Sequence, residues 1–205
     1  MKISDIKDIT PIKALETVIN SPTADLLGTL ADCLHAVPFG SIAQSAIKIG
    51  IDFRNYLFIK KFSAFLDPLS GKEDEANAYI NALSKKELER ISEYLTSLLA
   101  NADSTEKARI MGFIFKAAVR KSINEEMMLR LVSIVGRAFV SDLKSLPTFK
   151  DPSEEFSIAA NEFVNLGLID NEPGGYWRDR PTLQLNEIGN TLYSILEKER
   201  WFDSE

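Results

Sequence analysis

Cys33 and His35 are the only cysteine and the only histidine in 205 residues. One thiol builds neither an internal disulfide framework nor a cysteine-based zinc cluster. Two residues apart on a helix, the two side chains point in different directions, which suits neither a nucleophile–base pair nor a shared metal ion. Asp32, three residues before His35, can hydrogen-bond to it but does not complete a metal sphere. A buried thiol and a histidine at a polar edge account for both residues. Phosphate-cradling glycine loops are also missing. Pro173-Gly174-Gly175 has neither the Lys-Ser/Thr of a phosphate loop nor the three-glycine spacing of a dinucleotide fingerprint. No carboxylate pair stands out as general acid and base, because Glu73-Asp74-Glu75 and Glu125-Glu126 fall at expected helix starts, where the macrodipole favours anions. These absences point away from an enzyme, and no metal, cofactor or small-molecule substrate is inferred.

Long uncharged runs are scarce as well. The longest opens after Asp32 and closes before Lys48, fifteen residues, short of the roughly 20 needed to span a bilayer as a helix. Pro38 and Gly40 break it at the Val37-Pro38-Phe39-Gly40 turn, so it reads as two short helices. Residues 1–20 carry Asp5, Asp8 and Glu16 and no uninterrupted apolar stretch, so no secretory signal is expected. With a single cysteine, the expected setting is reducing and cytoplasmic.

What is present is an ordinary globular mixture, 45% hydrophobic and 26% charged, enough to build a sizeable core. The net charge of −6 is unevenly spread. Residues 101–150 hold nine basic and five acidic side chains; residues 151–205 hold four basic and twelve acidic. A mildly basic helical region therefore precedes an acidic last quarter.

Helix signals dominate the chain. A short N-terminal helix is expected to end at Asn20-Ser21-Pro22. An aromatic helix over 53–66 ends at Asp67-Pro68 and Ser70-Gly71, and another runs from Glu73 to about 82. Ser84-Lys85-Lys86-Glu87 is a capping box, in which hydroxyl and carboxylate satisfy each other's free backbone donors, and it opens a helix over 85–100. Asp103-Ser104-Thr105-Glu106 opens the next, over 105–121. Ser122-Ile123-Asn124-Glu125 opens one running to about 146, where Pro147 stops it. Short linkers between such caps predict helices packed against their sequence neighbours.

The last 55 residues differ. Asp151-Pro152-Ser153-Glu154 reads as a helix start, with the helix ending at Gly167. Leu168-Ile169 and Thr182-Leu183-Gln184-Leu185 read as strands about a Pro173-Gly174-Gly175 turn, and a final helix covers 186–198. The series Leu166-Gly167-Leu168-Ile169, turn, Leu183-Gln184-Leu185-Asn186-Glu187-Ile188-Gly189, helix resembles the back half of winged-helix domains. In that family a helix runs into a Gly-Leu-Ile strand, a two-stranded wing follows, and a Leu-Thr-x-x-Gly step enters the last helix. Asn186 stands where the family has Thr and is expected to cap more mildly. The fold class expected is mainly α: a helical bundle over 1–147 and a winged-helix-like domain over 148–205 with a two-stranded wing.

The chain as a whole resembles a loosely defined group of uncharacterised bacterial and phage-borne helical proteins. The residues carrying the likeness are Val37-Pro38-Phe39-Gly40, Asn55-Tyr56-Leu57-Phe58-Ile59-Lys60-Lys61-Phe62, Glu106-Lys107-Ala108-Arg109-Ile110-Met111-Gly112 and Arg137-Ala138-Phe139-Val140-Ser141-Asp142-Leu143. The resemblance implies a prokaryotic or mobile-element setting and no particular activity.

Many winged helices place the helix before the wing in the major groove of DNA. Here that helix carries Glu154, Glu155 and Glu162 and no Lys or Arg. Phosphate attraction supplies most non-specific affinity, so the duplex repels it. Arg178 and Arg180 beside Tyr176 and Trp177 offer wing contacts to a backbone or base. Against a net −8 segment they leave nucleic acid disfavoured and protein docking preferred.

Two surfaces remain. On the expected 122–146 helix, Met128, Leu131, Val135, Phe139, Leu143 and Leu146 form an apolar seam. Arg130, Arg137 and Lys144 recur every seven residues on another face, as a surface for an anionic partner, this protein's own acidic segment included; a solvated or internally paired face is the bland alternative. The second surface is region 26–69, poor in charge, where Phe39, Phe58 and Phe62 offer an apolar face to a partner helix or a membrane. Lys60-Lys61 beside Phe58 and Phe62 is a juxtaposition interfacial helices use; burial in the core is the alternative. The expected function is a non-enzymatic interaction or regulatory protein that binds a protein partner or its own copy. The alternatives are a membrane-associating effector and a winged-helix nucleic-acid regulator.

Overall fold

The structure, a computed structural model, describes residues 53–153, 157–172 and 182–203. The expected N-terminal helix, the 37–40 turn with Phe39, the Asp32, Cys33 and His35 positions, and the turn at 173–175 fall outside them. The described residues are mainly helical, with one small two-stranded antiparallel sheet near the C-terminus. The chain divides into two compact units, one ending at Ser122 and the other beginning at Ile123.

The first unit contains α1 (Phe53–Leu66), α2 (Glu73–Ala82), α3 (Lys85–Asn101) and α4 (Thr105–Val119). The capping box before α3 is complete. Ser84 Oγ accepts from the Glu87 backbone N–H at 3.3 Å, and Glu87 Oε2 accepts from the Ser84 N–H at 2.8 Å. Hydrogen bonding to the Glu87 carboxyl by the Ser84 side chain, and next by the Ser84 backbone N–H, holds it below the usual carboxylate range. The helix α4 is apolar almost all round, with Ile110, Met111, Ile114, Phe115, Ala118 and Val119 buried, the pattern of a helix enclosed by its neighbours. Its main partner is α1. The two backbones meet at Gly112, where a Cβ would run into the carbonyl oxygen of Phe65. Phe115 packs nearby, 5.5 Å from the Phe65 ring and 5.8 Å, edge-on, from Tyr79 of α2.

Ser104 caps α4, which starts at Thr105 as expected, accepting from the Lys107 N–H at 3.1 Å. Asn124, not Ser122, caps the next helix, accepting from the Met127 N–H at 2.8 Å. Ser122 is consumed by the end of α4. Its N–H and its hydroxyl both donate to the Ala117 carbonyl, while the Lys121 N–H donates to Ala118, closing a Schellman motif. Lys121 holds the left-handed position of that motif at φ 56°, where a side chain is strained by roughly 1–2 kcal/mol and glycine is not. Part of that strain energy is offset by glycine's freer unfolded chain. Lys121→Gly is therefore expected to stabilise by about 0.5 kcal/mol, read as a higher urea midpoint at unchanged slope.

The second unit contains α5 (Glu125–Arg137), α6 (Val140–Leu143), α7 (Ile158–Leu166), β1 (Ile169–Glu172), β2 (Thr182–Leu185) and α8 (Glu187–Lys198). The sequence-based division at 147 keeps α5 with the helices before it, whereas packing groups it with the hairpin and α8. The single helix expected over 122–146 is interrupted. It stops at Arg137, and the chain turns extended at Ala138 (ψ 150°) and Phe139 (ψ 137°) before α6. Met128, Leu131, Val135, Leu143 and Leu146 are buried as the seam requires, but Phe139 is 63% exposed. The break puts Ala138 into the core and turns Phe139 out.

The strands pair with Ile169 opposite Leu185 and Asn171 opposite Leu183. Ile169, Leu183 and Leu185 are buried while Asp170 and Gln184 are exposed, the period-two alternation of a one-sided sheet. On the other side of β2, Ser153 exchanges both backbone bonds with Leu183, at 2.8 and 2.9 Å. This corrects the reading of Asp151-Pro152-Ser153-Glu154 as a helix start. The buried Leu183 needs a partner for its peptide groups, Ser153 supplies it, and the helix begins later, capped by Ser157 through the Ala160 N–H.

Asn186 corrects the expectation of a mild cap. Its Oδ1 accepts from Ile188 and Gly189 N–H, both at 3.0 Å, while its Nδ2 donates to the Gly167 carbonyl at 3.0 Å and Asp170 Oδ1 at 3.2 Å. A threonine hydroxyl lacks the two donors that tie the start of α8 to the end of α7. Gly189 follows from the same junction, because a Cβ there would meet the Leu168 carbonyl oxygen.

Candidate functional site

The residues singled out from sequence do not converge on one site. Arg130, Arg137 and Lys144 are all exposed, but one continuous helix does not carry them. Arg130 and Arg137 lie on α5, two turns apart at about 10 Å, and Lys144 follows the end of α6. None of the three forms an ion pair among the described residues, whereas Lys72, Lys107, Arg109, Arg120 and Lys150 each face a carboxylate within 4 Å. Lys198 and Arg200 at the end of α8 are likewise exposed without an ion pair among the described residues, so this lack is not particular to the helix break. The wing residues Tyr176, Trp177, Arg178 and Arg180 lie outside the described residues.

The apolar set of region 26–69 is corrected in part. Phe62 is 1% exposed, a core residue stacked on the half-buried Phe58 at 6.3 Å between ring centres. Lys61 is not an interfacial lysine. Its Nζ donates to the carbonyls of Ala100 at 2.7 Å and Ala102 at 2.8 Å, closing the C-terminus of α3, where a cation meets the negative end of the helix. Burial lowers the Lys61 pKa, and the neighbouring Asp103 opposes that shift. Asp103 is itself held below the usual carboxylate range by its hydrogen bond from Lys107, whose Nζ approaches Oδ2 at 2.7 Å. The Lys107 side chain is only 4% exposed. These three charges are occupied in holding the α3–α4 junction together.

Exposed large hydrophobics mark the surface that sequence reasoning missed. In the second unit they are Phe139, Ile158 at 86% and Val164 at 37%. The outward face of α7 is Ile158, Asn161, Val164 and Asn165, with Glu162 half-exposed and no Lys or Arg on the helix. An isoleucine left almost wholly in water at the first turn of a well-capped helix contributes nothing to its own unit. Placing it there forgoes roughly 1.5–3 kcal/mol of side-chain burial. The signal available in the sequence was Ser157-Ile158, a cap followed by an apolar residue off the core face set by Ala160, Phe163 and Leu166. It was hidden by the earlier start assigned to this helix.

Among the described residues, no helix is long and apolar enough to cross a membrane, and no group of three His, Cys, Asp or Glu side chains is placed to hold a metal ion. No protein-family model, curated protein or solved structure matches this chain.

Proposed function

We propose that this chain is a non-enzymatic protein-docking protein whose winged-helix-like C-terminal unit presents α7 to a protein surface instead of to DNA. The observation that carries this reading is the composition of the α7 face: Ile158 and Val164 exposed, asparagines between them, and no basic side chain. Such a face gains by meeting apolar surface and gains nothing from phosphate. The winged-helix-like assignment is supported by the order helix, hairpin, helix and by the Asn186–Gly189 step. The Ser153 bridge adds a third, one-residue strand to the hairpin. One departure from the family pattern is that a single described helix, α7, separates that bridge from β1. Membrane association through region 26–69 is disfavoured by the burial of Phe62 and the engagement of Lys61.

A photo-reactive residue in place of Ile158 tests the reading. Irradiation in the native host is expected to yield protein adducts, reduced at least about tenfold when Val164→Asp is added, which corresponds to about 1.4 kcal/mol at the contact. Absence of any protein adduct, together with a salt-sensitive shift of duplex DNA by the unmodified chain, would replace protein docking by nucleic-acid binding.

A further inference from the structure

We draw no further inference here: the strongest candidate, the Phe139 ring exposed on the surface at the break between α5 and α6, carries nothing because nothing in the structure shows what covers it.

Discussion

Phe115→Ala is expected to lower the unfolding free energy of the first unit by about 3–5 kcal/mol, the range for removing a fully buried aromatic ring. Phe115 is wholly buried on α4 and touches aromatic rings from two other helices, Phe65 of α1 and Tyr79 of α2. Each such ring pair contributes about 0.5–1.5 kcal/mol beyond area burial. The site has little capacity to collapse. The α1 and α4 backbones are already in contact at Gly112, one turn away, so they cannot close further over the vacated volume. This places the loss toward the upper part of the range. Far-UV circular dichroism in a urea titration reads the change as a lower midpoint at constant slope. Leu57→Ala, at an exposed position of α1, serves as control and is expected to stay within about 0.5 kcal/mol. A loss below that of the control at Phe115 would mean that the ring is not part of the core.

Gly189→Ala opposes two physical rules and asks which is larger. Helix propensity alone favours alanine over glycine inside α8 by about 1 kcal/mol. Packing predicts the reverse. The added Cβ would meet the Leu168 carbonyl oxygen, with Leu185 Cδ2 at 3.0 Å and the Leu168 carbonyl carbon at 3.1 Å. Backbone cannot swing aside as a flexible side chain can, so α8 must move off the α7–β1 junction and loosen the Asn186 bonds. Overpacking of this kind costs about 1–3 kcal/mol or more, and a net destabilisation of about 2 kcal/mol is expected. Both tryptophans, Trp177 and Trp201, fall after Ser122, so indole fluorescence in urea follows the second unit alone. A variant as stable as the native chain, or more stable, would show that α8 does not approach β1 so closely. Gly167→Ala makes a useful contrast. Space around that residue is open, and its penalty comes only from φ 72°, so it should cost roughly 1–2 kcal/mol through backbone strain without displacing α8.

Much of the architecture was legible in local chemistry. The bounds of α1 and α2 follow from Asp67-Pro68 and from the acidic start at Glu73. The α3 start follows from the Ser84–Glu87 box, and β2 and α8 from Leu183-Gln184-Leu185-Asn186. In each case the signal is carried by residues that contact one another within a turn or two of chain. Charge asymmetry was equally legible, because formal charge needs no coordinates. The surface was not. Phe139 sits at a helix-compatible interval in the seam and reads as core from spacing alone. Phe62 and Lys61 read as an interfacial pair, but the ring belongs to the core and the ammonium to the end of α3, whose carbonyls lie 39 and 41 residues along the chain.

Sequence by itself therefore determined, among the described residues, the helices α1 to α4 and α8, the two strands that pair, and that the last quarter is acidic. These depend on periodicity, capping and turn chemistry, which act over a few residues. Tertiary structure alone decided that the expected 122–146 helix breaks after Arg137 and that Ser153 joins β2 instead of starting α7. It also decided that Phe139 and Ile158 face water while Phe62 does not. Those outcomes depend on which distant backbone or side chain fills a place first. A buried strand that needs a partner for its peptide groups overrides a local preference worth only a few tenths of a kcal/mol.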